Sequence, residues 1–67
     1  MAKFVARIGL YSIYELSEKE CKENSRVYPT LVCWQSDHHE EIGDMSLTEN
    51  ESETIAEMAE WCQEYSR

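Results

Sequence analysis

The stretch TENESETIAEMAEWCQEYS, residues 48–66, decides the fold because it carries the clearest helical pattern in the chain. At 100° per residue one face of such a helix holds Ile55, Met58, Ala59, Cys62 and Tyr65. Thr48 with Glu51 gives the signature of an N-terminal cap, and Asn50 with Glu53 gives an alternative one. We therefore expect an amphipathic C-terminal helix that lies across a sheet and closes the core.

Upstream of this helix, residues 3–14, KFVARIGLYSIY, have the alternation of a half-buried strand. Its inward face at period two would hold Phe4, Ala6, Ile8 and Leu10. Arg7 and Tyr11 would fall on the other face. Gly9 is a candidate for a bulge or bend.

Two candidate capping boxes lie near the end of that strand. Ser12 with Glu15 would begin a helix inside the strand segment, which leaves the strand's end open. Ser17 with Glu20 would begin a short helix, or a polar connection, in SEKECKENS.

A second strand is expected at 26–35, RVYPTLVCWQ, which is rich in β-branched and aromatic residues. Pro29 cannot donate to a ladder and belongs at the start of the strand or on an edge. A weaker third strand, IGDMSL, would point Met45 and Leu47 inward. Short connections favour an antiparallel arrangement.

The sequence therefore predicts one α+β domain over residues 1–67: a small antiparallel sheet of about three strands covered by one C-terminal helix. A short helix between the first two strands fits the same pattern. A chain of 67 residues buries only about 60% of the surface that its unfolded form exposes, so the core must be small.

The net charge of -8 is concentrated in the second half of the chain. Residues 1–35 hold five basic and four acidic residues, whereas residues 36–67 hold ten acidic residues against Arg67 alone. Such a field repels nucleic acid and anionic membranes and attracts basic surfaces.

No segment has the roughly 20 apolar residues that span a bilayer, and the first residues are too short an apolar run for a secretory signal. An odd number of cysteines at irregular spacing is a poor disulfide framework. These features predict a soluble, cytoplasmic protein with reduced thiols.

Three cysteines and two histidines could together ligate a zinc ion: Cys21, Cys33, His38, His39 and Cys62. Structural zinc sites usually take close pairs such as C-x2-C, and no two cysteines are close here. We therefore expect no metal and no cofactor, with a small metalloprotein as the remaining alternative. The two histidines adjoin Glu40 and Glu41, where a solvated or pH-sensitive role is expected.

The sequence also predicts that the protein is not an enzyme. A reactive cysteine needs nearby cations or a helix N-terminus, whereas Cys62 sits late in an acidic helix and Cys33 in an apolar strand. Paired carboxylates for hydrolysis would need a pocket that so small a core seldom leaves.

The acidic row of the C-terminal helix is the main candidate site. It consists of Glu53, Glu57, Glu60 and Glu64. Their spacing places them within an arc of about 60° over about 16 Å, which is the length of about five base-pair steps. Trp61 lies beside the row as a candidate aromatic anchor. A second row could come from Asp37, Glu40, Glu41 and Asp44.

In size, single-domain build and acidity, including the row ESETIAEMAEWCQE on a helix, the chain resembles small phage-encoded inhibitors of host defence, among them anti-CRISPR proteins and other DNA mimics. The resemblance implies that the acidic helix face occupies a basic nucleic-acid-binding surface of a host nuclease or effector complex. The alternative is a regulatory or adaptor module that binds a basic protein or peptide. A merely solubilising face is the competing interpretation of the row.

Overall fold

The computed structural model of the chain describes residues 2–35 and 48–67. In chain order its elements are β1 (Lys3–Ile8), β2 (Tyr11–Glu15), α1 (Glu18–Glu23), β3 (Leu31–Gln35), β4 (Asn50–Ser52) and α2 (Ile55–Glu64). The strands form one antiparallel sheet in the order β1-β2-β3-β4, and α2 packs on it. The predicted α+β fold with a C-terminal helix on the sheet is confirmed. The strand expected at 42–47 lies outside the described residues.

The first predicted strand is in fact a hairpin. β1 and β2 pair from Lys3↔Glu15 to Ile8↔Tyr11, with Gly9 and Leu10 between them. Gly9 has a φ of 60°, which suits the first central position of a type II′ hairpin turn. The single strand over 3–14 was wrong because this glycine reverses the chain instead of bending it.

A β-bulge explains why the predicted inward face of the first strand was also wrong. Phe4 pairs with Tyr14 but Ala6 pairs with Ile13, so Val5 is the extra residue. The extra residue moves Phe4 to the opposite face from Ala6, and Phe4 is 54% exposed. Leu10 is exposed at the turn, whereas Tyr11, which was expected to face outward, is buried.

Both faces of the two central strands are buried, and each face has its own core. The helix-side core consists of Tyr11, Ile13, Leu31, Cys33, Met58 and Cys62, with Ile8 and Trp61 packed against it. The far core consists of Tyr14, Leu16, Cys21, Val32 and Trp34, with Ala2 packed against it. Because side chains alternate along a strand, each of β2 and β3 contributes to both cores.

Helix α1 begins at the second of the two predicted capping boxes. The Ser17 hydroxyl accepts from the Glu20 amide at 3.1 Å, and the Glu20 carboxylate accepts from the Ser17 amide at 2.8 Å. The alternative helix start at Ser12 was wrong because Ser12 pairs with Trp34 inside the sheet. The second predicted strand is shorter than expected, since Pro29 precedes β3 and residues 26–30 belong to the connection, residues 24–30, between α1 and β3.

Helix α2 begins later than either predicted cap. Thr54 is the N-cap, and its hydroxyl accepts from the Glu57 amide at 3.3 Å. The caps at Thr48 and Asn50 were wrong because residues 50–52 pair with β3 as β4. Of the predicted apolar stripe, Met58 and Cys62 are fully buried and Ala59 is half-buried. Ile55 and Tyr65, at the two ends, are about half exposed.

Replacement of Met58 by Asp should unfold the domain. Met58 is 0% exposed in the helix-side core, where a carboxylate would be buried without a partner. Ala56→Asp is the matched control, because Ala56 is exposed in the first turn of the same helix, where a negative charge is favourable. Circular dichroism and urea titration should show an unfolded Met58→Asp protein and a folded control. A cooperatively folded Met58→Asp protein would contradict this account of the core.

Ser66 near the C-terminus holds the β1–β2 turn by hydrogen bonds, and Gly9→Ala should destabilise this contact. The Ser66 hydroxyl accepts from the Leu10 amide at 3.0 Å and donates to the Cys62 carbonyl. A Cβ on Gly9 would overlap the Ser66 side chain, and the positive φ adds about 1–2 kcal/mol of strain. We expect Gly9→Ala to lower the free energy of unfolding by more than Ser66→Ala, which loses only the two hydrogen bonds. Urea unfolding of both variants tests this order, and the reverse order would contradict it.

Candidate functional site

Three of the six glutamates in residues 48–66 help to hold the fold together. The Glu49 carboxylate accepts from the Gln35 amide at the end of β3, at 3.1 Å. The Glu57 carboxylate accepts from the hydroxyl of the N-cap Thr54, at 3.1 Å. Glu49 and Glu57 therefore bond to other parts of the fold, and Glu51 does so through an ion pair.

The ion pair of Glu51 joins β4 to the connection that follows α1. The Arg26 guanidinium donates from Nε to Glu51 Oε1 at 2.5 Å and from Nη2 to Oε2 at 3.1 Å. The guanidinium also donates to the Asn24 carbonyl at 2.6 Å. The hydrogen bonds from Arg26 hold the pKa of Glu51 below its ordinary value of 4.5, against the opposing effect of burial. No local sequence pattern predicts this pair, because its members lie 25 positions apart.

Glu51→Gln should cost a small, pH-dependent amount of stability. Because the folded-state pKa of Glu51 is lowered, its stabilisation is complete above the ordinary value of 4.5 and is lost as the pH falls through the lowered value. Both side chains are about a third exposed, so the thermal midpoint at pH 7 should fall by a few degrees at most. Thermal unfolding from pH 7 to pH 3 tests this, with Glu23→Gln as a control for the loss of one exposed carboxylate. A difference that does not shrink as the pH falls from 5 to 3 would contradict the ion-pair account.

The other three glutamates are exposed and have no bonding partner among the described residues: Glu53, Glu60 and Glu64. Glu60 and Glu64 are one helical turn apart on α2. Glu53 precedes the N-cap and lies outside the helix, so the predicted row of four was wrong. The helical part of the row runs from Glu57 to Glu64, over about 10 Å or about three base-pair steps.

Trp61 lies beside this shortened row, half in the core and half at the surface. Its ring meets that of Tyr11 edge-on, with centroids 5.1 Å apart, and stacks on that of Tyr65 at 4.5 Å and 22°. A shallow groove of about 260 Å³ runs along the outer face of α2, and its lining consists of Glu57, Glu60, Trp61 and Glu64. We call it the α2 groove. It brings the predicted anchor and three of the predicted carboxylates together.

A second, larger groove of about 540 Å³ separates residues 25–30 from the start of α2. Glu53 and Glu57 contribute to its lining, as do the Arg26–Glu51 pair and the hydroxyls of Thr30 and Thr54. Sequence reasoning missed this groove because its walls come from distant parts of the chain. Its charges are largely satisfied within the protein, since Arg26, Glu51 and Glu57 already have partners.

The cysteines do not form a reactive or metal-binding group within the described part of the chain. Cys33 and Cys62 are buried together in the helix-side core, whereas Cys21 lies in the far core. Burial raises the pKa of Cys33 to about 12 and also raises that of Cys62, so both stay protonated near neutral pH. In residues 2–35 and 48–67 no three potential ligands lie together. His38 and His39 lie outside those ranges.

The second predicted acidic row also falls outside the described residues, and it comprises Asp37, Glu40, Glu41 and Asp44. Within the described ranges, no helix has the length and apolar character that crossing a membrane requires. No protein-family model, curated protein or solved structure matches the chain.

Proposed function

We propose that this protein is a stoichiometric inhibitor whose α2 groove and acidic row dock on a basic nucleic-acid-binding surface of a host nuclease or effector complex. It would exclude the nucleic acid by occupying the site and would catalyse no reaction. The observation that carries the proposal is that Glu60 and Glu64, which have no partner within residues 2–35 and 48–67, lie beside the half-buried indole of Trp61.

The charges on α2 oppose helix stability, which favours a role in binding. Glu57–Glu60 and Glu60–Glu64 are like-charge pairs that each cost a helix about 0.2–0.5 kcal/mol. The last turn contains no basic residue, although the negative end of the helix dipole favours a cation there. A charged face needed only for solubility could have alternated in sign at no such cost.

Charge distribution and resemblance support a protein partner with a basic surface. Residues 36–67 carry a net charge of -9, which repels nucleic acid and attracts clustered Lys and Arg. The likeness to small acidic phage-encoded inhibitors, including anti-CRISPR proteins, supports action in the cytoplasm of a host bacterium. The short row of about 10 Å fits a compact basic patch better than a long duplex-binding channel.

The second candidate function is a regulatory or adaptor module that binds a basic protein or peptide without displacing nucleic acid. The α2 groove favours it, because an aromatic anchor with a charged rim is the usual anatomy of a protein-binding hot spot. Competition with DNA separates the two candidates, since only the inhibitor shares its site with nucleic acid.

Glu60→Gln/Glu64→Gln should weaken partner binding while the fold persists or gains stability. Two charges that would face the partner are lost, and like-charge repulsion within α2 is relieved. Glu18→Gln/Glu23→Gln is the matched control, because it removes two exposed carboxylates from α1 and leaves the same net charge. Each protein is immobilised and exposed to a bacterial lysate, and affinity for the retained protein is then measured across a salt series with duplex DNA as competitor.

The inhibitor predicts that the α2 double variant loses at least about tenfold in affinity at low salt, that the α1 double variant keeps it, and that DNA and the protein exclude each other. Equal losses for the two double variants would mean that only net charge matters and would overturn a site on α2. A complex that still binds DNA would leave the adaptor function in place of the inhibitor.

A further inference from the structure

We propose that the α2 groove receives an arginine side chain of the partner, with its guanidinium against the Trp61 indole and its N–H groups donating to Glu60 and Glu64. This inference rests on the proposed function and names the group that its site recognises. It makes Trp61, rather than the row of carboxylates alone, the determinant of specificity.

The indole is held in a fixed position before any partner arrives. Tyr11, which is buried, meets the Trp61 ring edge-on, and Tyr65 covers part of the indole by stacking on it with centroids 4.5 Å apart. An arginine would contact the part of the indole that lines the α2 groove. An aromatic wall fixed in this way loses little conformational entropy on binding. Tyr65 is 57% exposed and lies next to Trp61, outside the groove lining.

The charges around the indole select a cation. Among the residues that the structure describes, the groove lining contains three carboxylates and no basic side chain. One Glu57 oxygen accepts from Thr54, whereas Glu60 and Glu64 have no hydrogen-bond or ion-pair partner in the described ranges. A cation over an aromatic ring beside unpaired carboxylates gains from the ring quadrupole and from direct ion pairing.

Arginine satisfies this arrangement better than lysine. A guanidinium is planar and stacks on an indole, and its five N–H donors can reach two carboxylates at once. A lysine ammonium is a compact and strongly hydrated point charge, which would pair with one carboxylate and gain less from the ring. The groove should therefore discriminate between two side chains of equal charge.

The test compares three synthetic peptides of one length and spacing, in which the variable positions are all arginine, all lysine or all citrulline. Binding to the intact protein is followed by isothermal titration and by the two indole N–H resonances in ¹⁵N-labelled protein. Trp34 serves as the internal control, since it is buried in the far core on the other face of the sheet. Trp61→Leu removes the aromatic wall, and Trp61→Phe keeps one.

We expect the arginine peptide to shift the Trp61 resonance but not that of Trp34, and to bind about three- to tenfold more tightly than the lysine peptide. Citrulline should abolish binding. The Trp61→Leu variant should bind the arginine peptide no more tightly than the lysine peptide. The Trp61→Phe variant should retain most of the preference for arginine. Equal affinities of the arginine and lysine peptides for the unmodified protein would overturn the inference without requiring any variant to fold.

The same measurements separate this inference from the proposed function. If the two cationic peptides bind equally and Glu60→Gln/Glu64→Gln weakens both, the acidic docking surface remains and arginine recognition is wrong. If neither peptide binds at low salt, both the acidic docking surface and arginine recognition are wrong. If Trp61→Leu changes nothing while the arginine preference persists, the preference arises elsewhere and the groove is excluded.

Discussion

The whole structure depends on the burial of β2 and β3 on both faces. A strand pair buried on one side can close its core with a single helix, but this pair presents alternate side chains to two cores. Met58 and Cys62 of α2 therefore have to lie on one face, and Cys21 of α1 contributes to the other. Once Met58 and Cys62 are placed, the helical period directs Glu60 and Glu64 outward and leaves Trp61 at the margin of the helix-side core.

That constraint gives the glutamates of the last third of the chain two different roles. Three of them accept hydrogen bonds that hold the fold together. Glu49 accepts from the end of β3, Glu51 from Arg26, and Glu57 from the N-cap of α2. Glu60 and Glu64 have no such role within the described part of the chain. The distinction narrows the acidic surface to one helix face and to the groove that this face shares with Trp61.

The sequence predicted the elements that depend on local periodicity and capping. The amphipathic stripe of α2 and the capping box of α1 were readable because their partners lie three or four positions apart. The hairpin turn and the bulge at Val5 were not, since strand pairing, and not local alternation, decides on which face Phe4 lies. The Arg26–Glu51 pair and the larger groove join residues far apart in the chain, so no local pattern could reveal them.

Helix α2 tolerates an acidic face because the helix does not have to be stable by itself. Ten residues are too few for an isolated helix in water, so α2 exists through its packing on the sheet. Burial of the Met58 side chain alone contributes about 1.5–3 kcal/mol, against about 0.4–1 kcal/mol for the two like-charge pairs. The inner face thus stabilises the helix strongly enough for the outer face to carry unfavourable charges. A partner's cations would relieve that repulsion, so part of the strain within free α2 would appear as affinity in the complex.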